Sequence, residues 1–338
     1  MLRAGQQSRA VARGSGGSVL VAARRAPPRR AAMDVRASGA AKVGARDLQK
    51  VAEAAAAAGA KVITEALDKP RVITSKGAIG DIVTDTDKAS EAAAVAVISA
   101  AFPGHAILGE EGGVITGDVA SEYLWCIDPL DGTCNFAHNY PGFCCSIGVL
   151  RHSTPVAGCV VEFVGGPGAW RTRTYSAARN FGATCDGRAI SVSKTSRIED
   201  ALVASELCWY EDLWPTMAGL HAEFTRTAMG TRMSGAAAAN LCHLAAGLVD
   251  AYWQFQLKPW DVAAGVCILE EAGGRVSTAD GLAYSVFDRS LLASNDALYS
   301  PMLAVLEPRM RGLIGQGIKL GPANVPKGYG VRLGSQLD

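Results

Sequence analysis

"IDPLDGTCNF", residues 127–136, sets Asp128 and Asp131 three residues apart, places Pro129 and Leu130 between them, and follows with Gly132 and Thr133. The preceding "SEYLWC" reads as a strand whose carboxyl end delivers Asp128. Proline holds the chain out of helix, so the side chains of 128 and 131 and the intervening carbonyl can face one centre. Gly132 lets backbone N–H groups approach an anion closely. A plain turn could use the same residues. A site that holds a hard metal ion against a phosphate needs them.

Three other acidic groups accompany the pair: Asp81/Asp85/Asp87, Glu110/Glu111 and Asp261. Alone, each has an ordinary reading. Asp261 could simply cap the helix it opens, and Glu110-Glu111 could be a solvated loop. Together they change the reading, because Glu110 and Asp128 each follow an apolar strand and Asp261 opens a helix. Carboxylates gathered where strand ends converge repel one another unless cations sit between them. Ligands that are all oxygen suit Mg²⁺ or Mn²⁺ rather than zinc. Rival phosphate chemistries lack their signatures: there is no GxxxxGK[ST], no Cys-x5-Arg and no dinucleotide fingerprint, and "DTDKA" at 85–89 does not continue as an aspartyl nucleophile would. The residues alone therefore indicate a metal-dependent phosphate monoester hydrolase with water as nucleophile.

The remaining pattern is layered α/β. Helices are expected over 45–68, with Leu48, Val51, Ala55, Ala58, Val62 and Leu67 near a 3.6-residue period, then over about 87–101 and 212–222, through "GAAAANLCHLAAGLVD" (235–250), and through "PWDVAAGVCILEEAG" (259–273). "FCCSIGVLRHSTPVAGCVVEFV" (143–164) reads as a strand hairpin, "AYWQFQL" (251–257) as a short strand, and "HAEFTRTAM" stays undecided. The Gly-rich tail after about 310 shows little periodicity and is expected to lack regular structure.

Of the 338 residues, 49% are hydrophobic and 19% charged, enough for a substantial core. Residues 1–33 hold seven arginines and no acid, which turns the +1 of the whole chain into −6 for the rest. That leading segment reads as an organellar transit peptide, with a disordered basic tail as the plainer alternative. A net acidic body argues against nucleic-acid binding through a broad basic face, and no run of about 18 apolar residues offers a membrane span. Nine cysteines, an odd number without a CxxC pair, suggest buried thiols rather than a disulfide scaffold. Cys134 lies inside the carboxylate loop, where redox sensitivity competes with ordinary packing.

The blocks "DIVTDTDKASE" (81–91), "GEE" (109–111), "IDPLDGTCNFAH" (127–138) and "KPWDVAAGVCILEEAGG" (258–274) resemble, in order, those of the inositol monophosphatase family. "VEFVGGPGAWRTRTYSA" (161–177) and "SVFDRSLLASN" (285–295) are similar to its plant and algal chloroplastic branch. The resemblance implies an αβαβα layered sandwich of the inositol monophosphatase/sugar phosphatase type. It implies a catalytic domain over 45–305, with 45–190 as the metal and phosphate part, 191–305 as the substrate-side part, and 306–338 as a C-terminal extension. It also implies a Mg²⁺-dependent, lithium-sensitive enzyme, a homodimer acting on a small phosphorylated polyol or sugar, in the chloroplast or, failing that, the mitochondrion. By the same resemblance Glu110, Asp128, Asp131, Asp261 and the Leu130 carbonyl are metal ligands, and Asp87, Thr133 and Glu110 are catalytic. Lys76, Gly132, Thr133, Gly235, Ala236, Ala237 and Gln254 are the implied substrate contacts.

Two positions depart from the family pattern. Ala236 stands where animal relatives carry serine, and Gln254 stands where a glutamate bonds a substrate hydroxyl. Glutamine both donates and accepts but brings no charge, so the metal centre reads as intact while substrate choice stays open. myo-Inositol 1-phosphate is the first expectation, with galactose 1-phosphate, histidinol phosphate and a nucleotide 3′-phosphate as rivals. A non-catalytic metal-binding relative is the remaining class.

Overall fold

The computed structural model describes residues 43–329 except 79 and 119; the expected leader at 1–33 lies outside them. In chain order come α1 (Ala45–Ala66), β1 (Ile73–Ser75), β2 (Ile82–Thr84), α2 (Asp85–Ala101), β3 (Ala106–Gly109), β4 (Gly113–Thr116), β5 (Tyr123–Asp131) and α3 (Thr133–Ala137). The central strands are β6 (Phe143–Arg151), β7 (Thr154–Val164), β8 (Arg171–Ala178), β9 (Ala183–Cys185) and β10 (Arg188–Ala189). The last part holds β11 (Leu202–Ser205), α4 (Trp214–Thr227), β12 (Gly230–Arg232), α5 (Ala237–Ala245), β13 (Ala251–Phe255), α6 (Pro259–Glu271), β14 (Arg275–Ser277), β15 (Ser290–Ser294) and α7 (Asp296–Gly315).

Eight strands form one sheet in the order β10-β9-β8-β7-β6-β5-β3-β4, and five form a second in the order β12-β11-β13-β15-β14. The layers run α1 and α2, large sheet, α5 and α6, small sheet, α4 and α7. The central strands are apolar on both faces, as a doubly covered sheet requires. Along β5, Trp125 and Ile127 pack toward α1 and α2, while Leu124 and Cys126 pack toward α5 and α6. Likewise on β13, Tyr252 faces the middle layer and Trp253 the outer one. The side-chain period of two thus feeds three separate cores.

Two features place the site. In the large sheet β3 and β5 are a parallel pair, with Gly109 opposite Ile127, so Glu110 and Asp128 emerge side by side at their carboxyl ends. Gly148 and Gly158 face each other across β6 and β7. A Cβ on either would come within 2.5–2.8 Å of Ala263 or Ala264, so α6 lies directly on the sheet backbone. That close seat carries the first turn of α6, and Asp261 with it, to the end of β5.

Several sequence expectations shift. Of the stripe expected on α1, Leu48, Ala55 and Leu67 are buried, whereas Val51, Ala58 and Val62 are only partly covered and Ala52, Ala56, Gly59, Ala60 and Ile63 complete the buried face. Small residues won because the helix packs tightly: a Cβ at Gly59 would meet Cys145 and Ser90 at 2.7 Å. The undecided "HAEFTRTAM" is largely the end of α4, and α5 is shorter than expected. The tail after 310 is not irregular at first, since α7 runs on to Gly315. Beyond it Leu320 and Tyr329 are buried, the Leu320 carbonyl accepts from Arg289 N at 3.0 Å, and the Tyr329 ring lies tilted against Phe287. Among the described residues no helix is long and apolar enough to cross a membrane, and all nine cysteines are free.

Replacing Gly158 with valine should force α6 off the sheet, at about 1–3 kcal/mol for overpacking. A lowered Tm together with lost activity is the expected outcome; a parent-like Tm would show that α6 does not sit where the close approach demands.

Candidate active site

Between the carboxyl ends of β3 and β5, the amino ends of α5 and α6, and the segment after β11 lies a cleft of about 450 Å³. Glu110, Asp128, Leu130, Asp131, Gly132, Thr133, Gly235, Ala237, Gln254 and Asp261 all line it. Asp87 lies buried directly behind Thr133. Lys76 and Ala236 are not among the lining residues. Lys76 instead bridges Glu110 at 2.9 Å and Glu111 at 2.6 Å, and Ala236 is buried beneath the turn that presents Gly235.

The Asp-Pro-Leu-Asp stretch is strand and bulge at once. Asp128 pairs with Ser146 and Asp131 with Cys144, so β5 carries one residue more than β6 over this interval. A bulge is where proline fits a central strand, because no ladder N–H is needed there. Asp128 Oδ1 accepts from Leu130 N at 3.1 Å, and Ser90 Oγ from α2 donates to the Pro129 carbonyl at 2.8 Å. Asp131 accepts from Ala237 N at 3.1 Å and Ala238 N at 2.7 Å, the first amides of α5. Asp261, in the first turn of α6, accepts from Lys258 N at 2.8 Å.

Asp87 has two tasks. Its Oδ2 accepts from Thr84 N at 2.9 Å and from the Thr84 hydroxyl, closing a capping box at the start of α2. Its Oδ1 lies 3.0 Å from Thr133 Oγ1, which is equally close to the Leu130 carbonyl. One hydroxyl proton serves one acceptor at a time, so Thr133 can turn between them. Of the other acids in that cluster, Asp81 lines the cleft, whereas Asp85 faces Val72 N.

The electrostatics follow from burial and like charge. Burial pushes Asp128 well above the ordinary carboxylate range, helped by Glu110, Asp131 and Asp261. Burial likewise lifts Asp131 to about 7, against the opposing Ala238 and Ala237 amides, and Asp261 to about 8, with Glu110 adding to the rise. Asp87 rises to about 6, again mainly by burial and against its hydrogen bonds to Thr84 and Thr133. Burial alone would lower the Lys76 ammonium, but Glu110 and Glu111 outweigh it and raise its pKa. Among the described residues no three His, Cys, Asp or Glu side chains form a closed ligand set. Each aspartate instead accepts from backbone amides of other residues: Asp128 from Leu130, Asp131 from Ala237 and Ala238, Asp261 from Lys258. A buried set of oxygen donors that raise one another's pKa fits a hard divalent cation, which would relieve the repulsion. Glu110, Asp128, Asp131, Asp261 and the Leu130 carbonyl could hold it.

Known proteins bear on this geometry. The inositol monophosphatase family matches residues 45–310. The chain belongs to that family. It is 52% identical over 287 residues to phosphatase IMPL1, chloroplastic, of Arabidopsis thaliana, covering 85% of this chain and 77% of that one. It is 37% identical over 262 residues to an inositol-1-monophosphatase of Synechocystis, covering 77% and 88%. The solved inositol monophosphatase of Anabaena (Nostoc) superposes with a TM-score of 0.67 at 35% identity, covering 78% of this chain and 96% of its own. Membership in this inositol monophosphatase family, the layered fold and a hydrolase activity are thereby established for the chain.

Sequence reasoning missed four residues of this member of the family. Glu206, buried at the end of β11, accepts from Ser234 N at 2.6 Å, Gly235 N at 2.8 Å and Asn240 Nδ2 at 3.0 Å. It thereby holds the turn in which Gly235 adopts φ +83. Asn135 Nδ2 spans the two walls, 2.7 Å from both the Gly142 and Ser234 carbonyls. Gln256 lines the cleft at φ +64, a conformation few side chains adopt. It is clamped there by Arg289, whose carbonyl accepts from Gln256 N at 2.6 Å and whose guanidinium donates to its Oε1 at 3.0 Å. Trp209 is the fourth. Cys134 donates its thiol to the Gly80 carbonyl, and burial and Asp81 raise its pKa, so packing describes it better than redox reactivity.

With folded pKa values above the unfolded 3.8, Asp131 and Asp261 bind more protons folded than unfolded between about pH 4 and 8. Stability of metal-free protein should therefore fall as pH rises through that window and level off above it. Tm measured in EDTA from pH 5 to 8.5 checks this, with Mg²⁺ raising Tm more at pH 8 than at pH 5. A flat profile in EDTA, or an equal gain at both pH values, would contradict it.

Proposed function

We propose that the enzyme is a Mg²⁺-dependent phosphatase of small phosphate monoesters, with myo-inositol 1-phosphate converted to myo-inositol and phosphate as its reaction. The observation that carries this reading is the convergence of Glu110, Asp128, Asp131 and Asp261 on one cleft that also presents Thr133. Bound Mg²⁺ supplies charge neutralisation at the phosphoryl oxygens and acidifies water. Glu110, Asp128, Asp131, Asp261 and the Leu130 carbonyl would hold it.

Thr133 and Asp87 are assigned the nucleophile. A water placed against Thr133 Oγ1 is oriented by that hydroxyl, and Asp87, 3.0 Å behind it, receives the proton. Asp87 must be ionised to do so. With its pKa near 6 it is ready at neutral pH and lost as acid approaches. Gly132 and Thr133 would hold the phosphate through backbone N–H groups, and Gly235 and Ala237 would line the alcohol side. Lys76 is assigned to holding Glu110 through charge, supported by its short contacts to Glu110 and Glu111.

Gln254 favours a second substrate reading, galactose 1-phosphate. Its Oε1 accepts from Tyr252, which leaves the amide NH₂ to face an alcohol hydroxyl. A neutral donor recognises inositol and sugar hydroxyls alike. The division of labour follows the chain, with 45–190 carrying phosphate chemistry and 191–305 the alcohol side, except that Asp261 crosses back. A chloroplast location is proposed from the Arabidopsis relative and the arginine-rich leader.

Phosphate release from myo-inositol 1-phosphate, galactose 1-phosphate and histidinol phosphate, with and without Mg²⁺, tests the reading. The inositol ester should lead in kcat/KM, and Asp87→Asn should lower kcat by about 10²- to 10⁴-fold with little change in KM. Metal-independent turnover, or near-parent kcat in Asp87→Asn, would overturn it.

A further inference from the structure

The cleft has a charged floor and an aromatic rim. In "ELCWYEDLW", residues 206–214, Leu207, Trp209, Tyr210 and Trp214 are 42%, 51%, 44% and 47% exposed. Single exposed apolar residues are commonplace, but four in eight positions need a reason. Leu207, Trp209 and Tyr210 also line the cleft.

The segment that carries these side chains is anchored at both ends. Glu206, at one end, is fixed by the amides of Ser234 and Gly235. At the other, Leu213 is fully buried, and Trp214 Nε1 donates to the Cys208 carbonyl at 2.8 Å. Trp209 reaches across to the turn before β2: a Cβ at Gly80 would stand 2.8 Å from its ring. Only a glycine there, at φ +83, lets the indole lie that close. The residue is half exposed and lines the cleft.

We propose that Trp209 and Tyr210 form a stacking wall that selects phosphate esters of ring alcohols over those of open-chain alcohols. The proposal rests on the phosphatase reading and deepens it. The floor meets the same phosphate group in every monoester, so it cannot discriminate among alcohols. Discrimination falls to the groups above it, where neutral Gln254 and Gln256 line the cleft together with Asp81, Asn135, Glu206 and Lys258. A ring alcohol offers a rigid C–H face that an indole and a phenol can cover, removing apolar surface from water. An open chain offers less area and loses more rotamer freedom on binding. Trp209 is a specificity residue in this scheme, acting on the part of the substrate that leaves.

The test is the ratio of kcat/KM for myo-inositol 1-phosphate and galactose 1-phosphate to that for glycerol 2-phosphate, in the parent enzyme, Trp209→Ala, Trp209→Phe and Tyr210→Ala. The parent should favour both ring esters. Trp209→Ala should lower that ratio roughly 5- to 10-fold, chiefly through KM, and Trp209→Phe should restore most of it. Trp209 could instead serve only to prop the Gly80 turn. Ring and open-chain esters would then fall together in Trp209→Ala, the ratio would hold, and the proposal would be overturned. A parent without ring preference overturns it equally. A parent that releases phosphate from none of the three removes the phosphatase reading itself.

Discussion

Mutual repulsion among Glu110, Asp128, Asp131 and Asp261 is the constraint around which this molecule is arranged. Four acids facing one cleft cost free energy unless dipoles or cations answer them. The protein answers with backbone amides: Leu130 N for Asp128, Ala237 N and Ala238 N for Asp131, Lys258 N for Asp261. Full positive charge reaches two of the four: Lys76 bridges Glu110, and Lys258 acts on Asp261 through charge. Amide dipoles soften the repulsion without removing it, which is why Asp128, Asp131 and Asp261 all stay raised. The residual repulsion is what a divalent cation would relieve.

The fold serves that gathering. A single parallel pair within an otherwise antiparallel sheet puts Glu110 beside Asp128. The bulge at Pro129 lets Asp128 and Asp131 serve one cleft although two residues, Pro129 and Leu130, separate them. Glycine opposite glycine on β6 and β7 seats α6 low enough to bring Asp261 within the electrostatic reach of its neighbours. Asp87 stabilises α2 as a cap while standing behind Thr133, so one carboxylate joins a structural element to a residue that lines the cleft.

Much of this was legible in the chain. Asp128, Asp131, Glu110 and Asp261 could be picked out because each sits at a strand end or helix start, and local sequence marks those boundaries. The layered order was legible for the same reason. What escaped depends on pairs far apart in sequence. Glu206 follows a strand unremarkably, and its partners lie some thirty residues on at Ser234, Gly235 and Asn240. The left-handed Gln256 is held by Arg289, and nothing near 256 announces it. The α1 stripe was legible only in part: Leu48, Ala55 and Leu67 are buried, but hydrophobic periodicity ranks valine above alanine, whereas close approach to α2 and the sheet selected Ala52, Ala56, Gly59 and Ala60 over Val51 and Val62. Trp209 gave no signal until Gly80 was found beneath it.

The most direct check is calorimetric titration of Mg²⁺ into metal-free protein at pH 7, in two buffers of different ionisation enthalpy. If the raised carboxylates are the cation's ligands, binding must displace protons from them, and the apparent enthalpy will differ between buffers in the sense of proton release. Binding without proton exchange, or no binding at millimolar Mg²⁺, would contradict the view that this acidic cleft is built to be neutralised by metal.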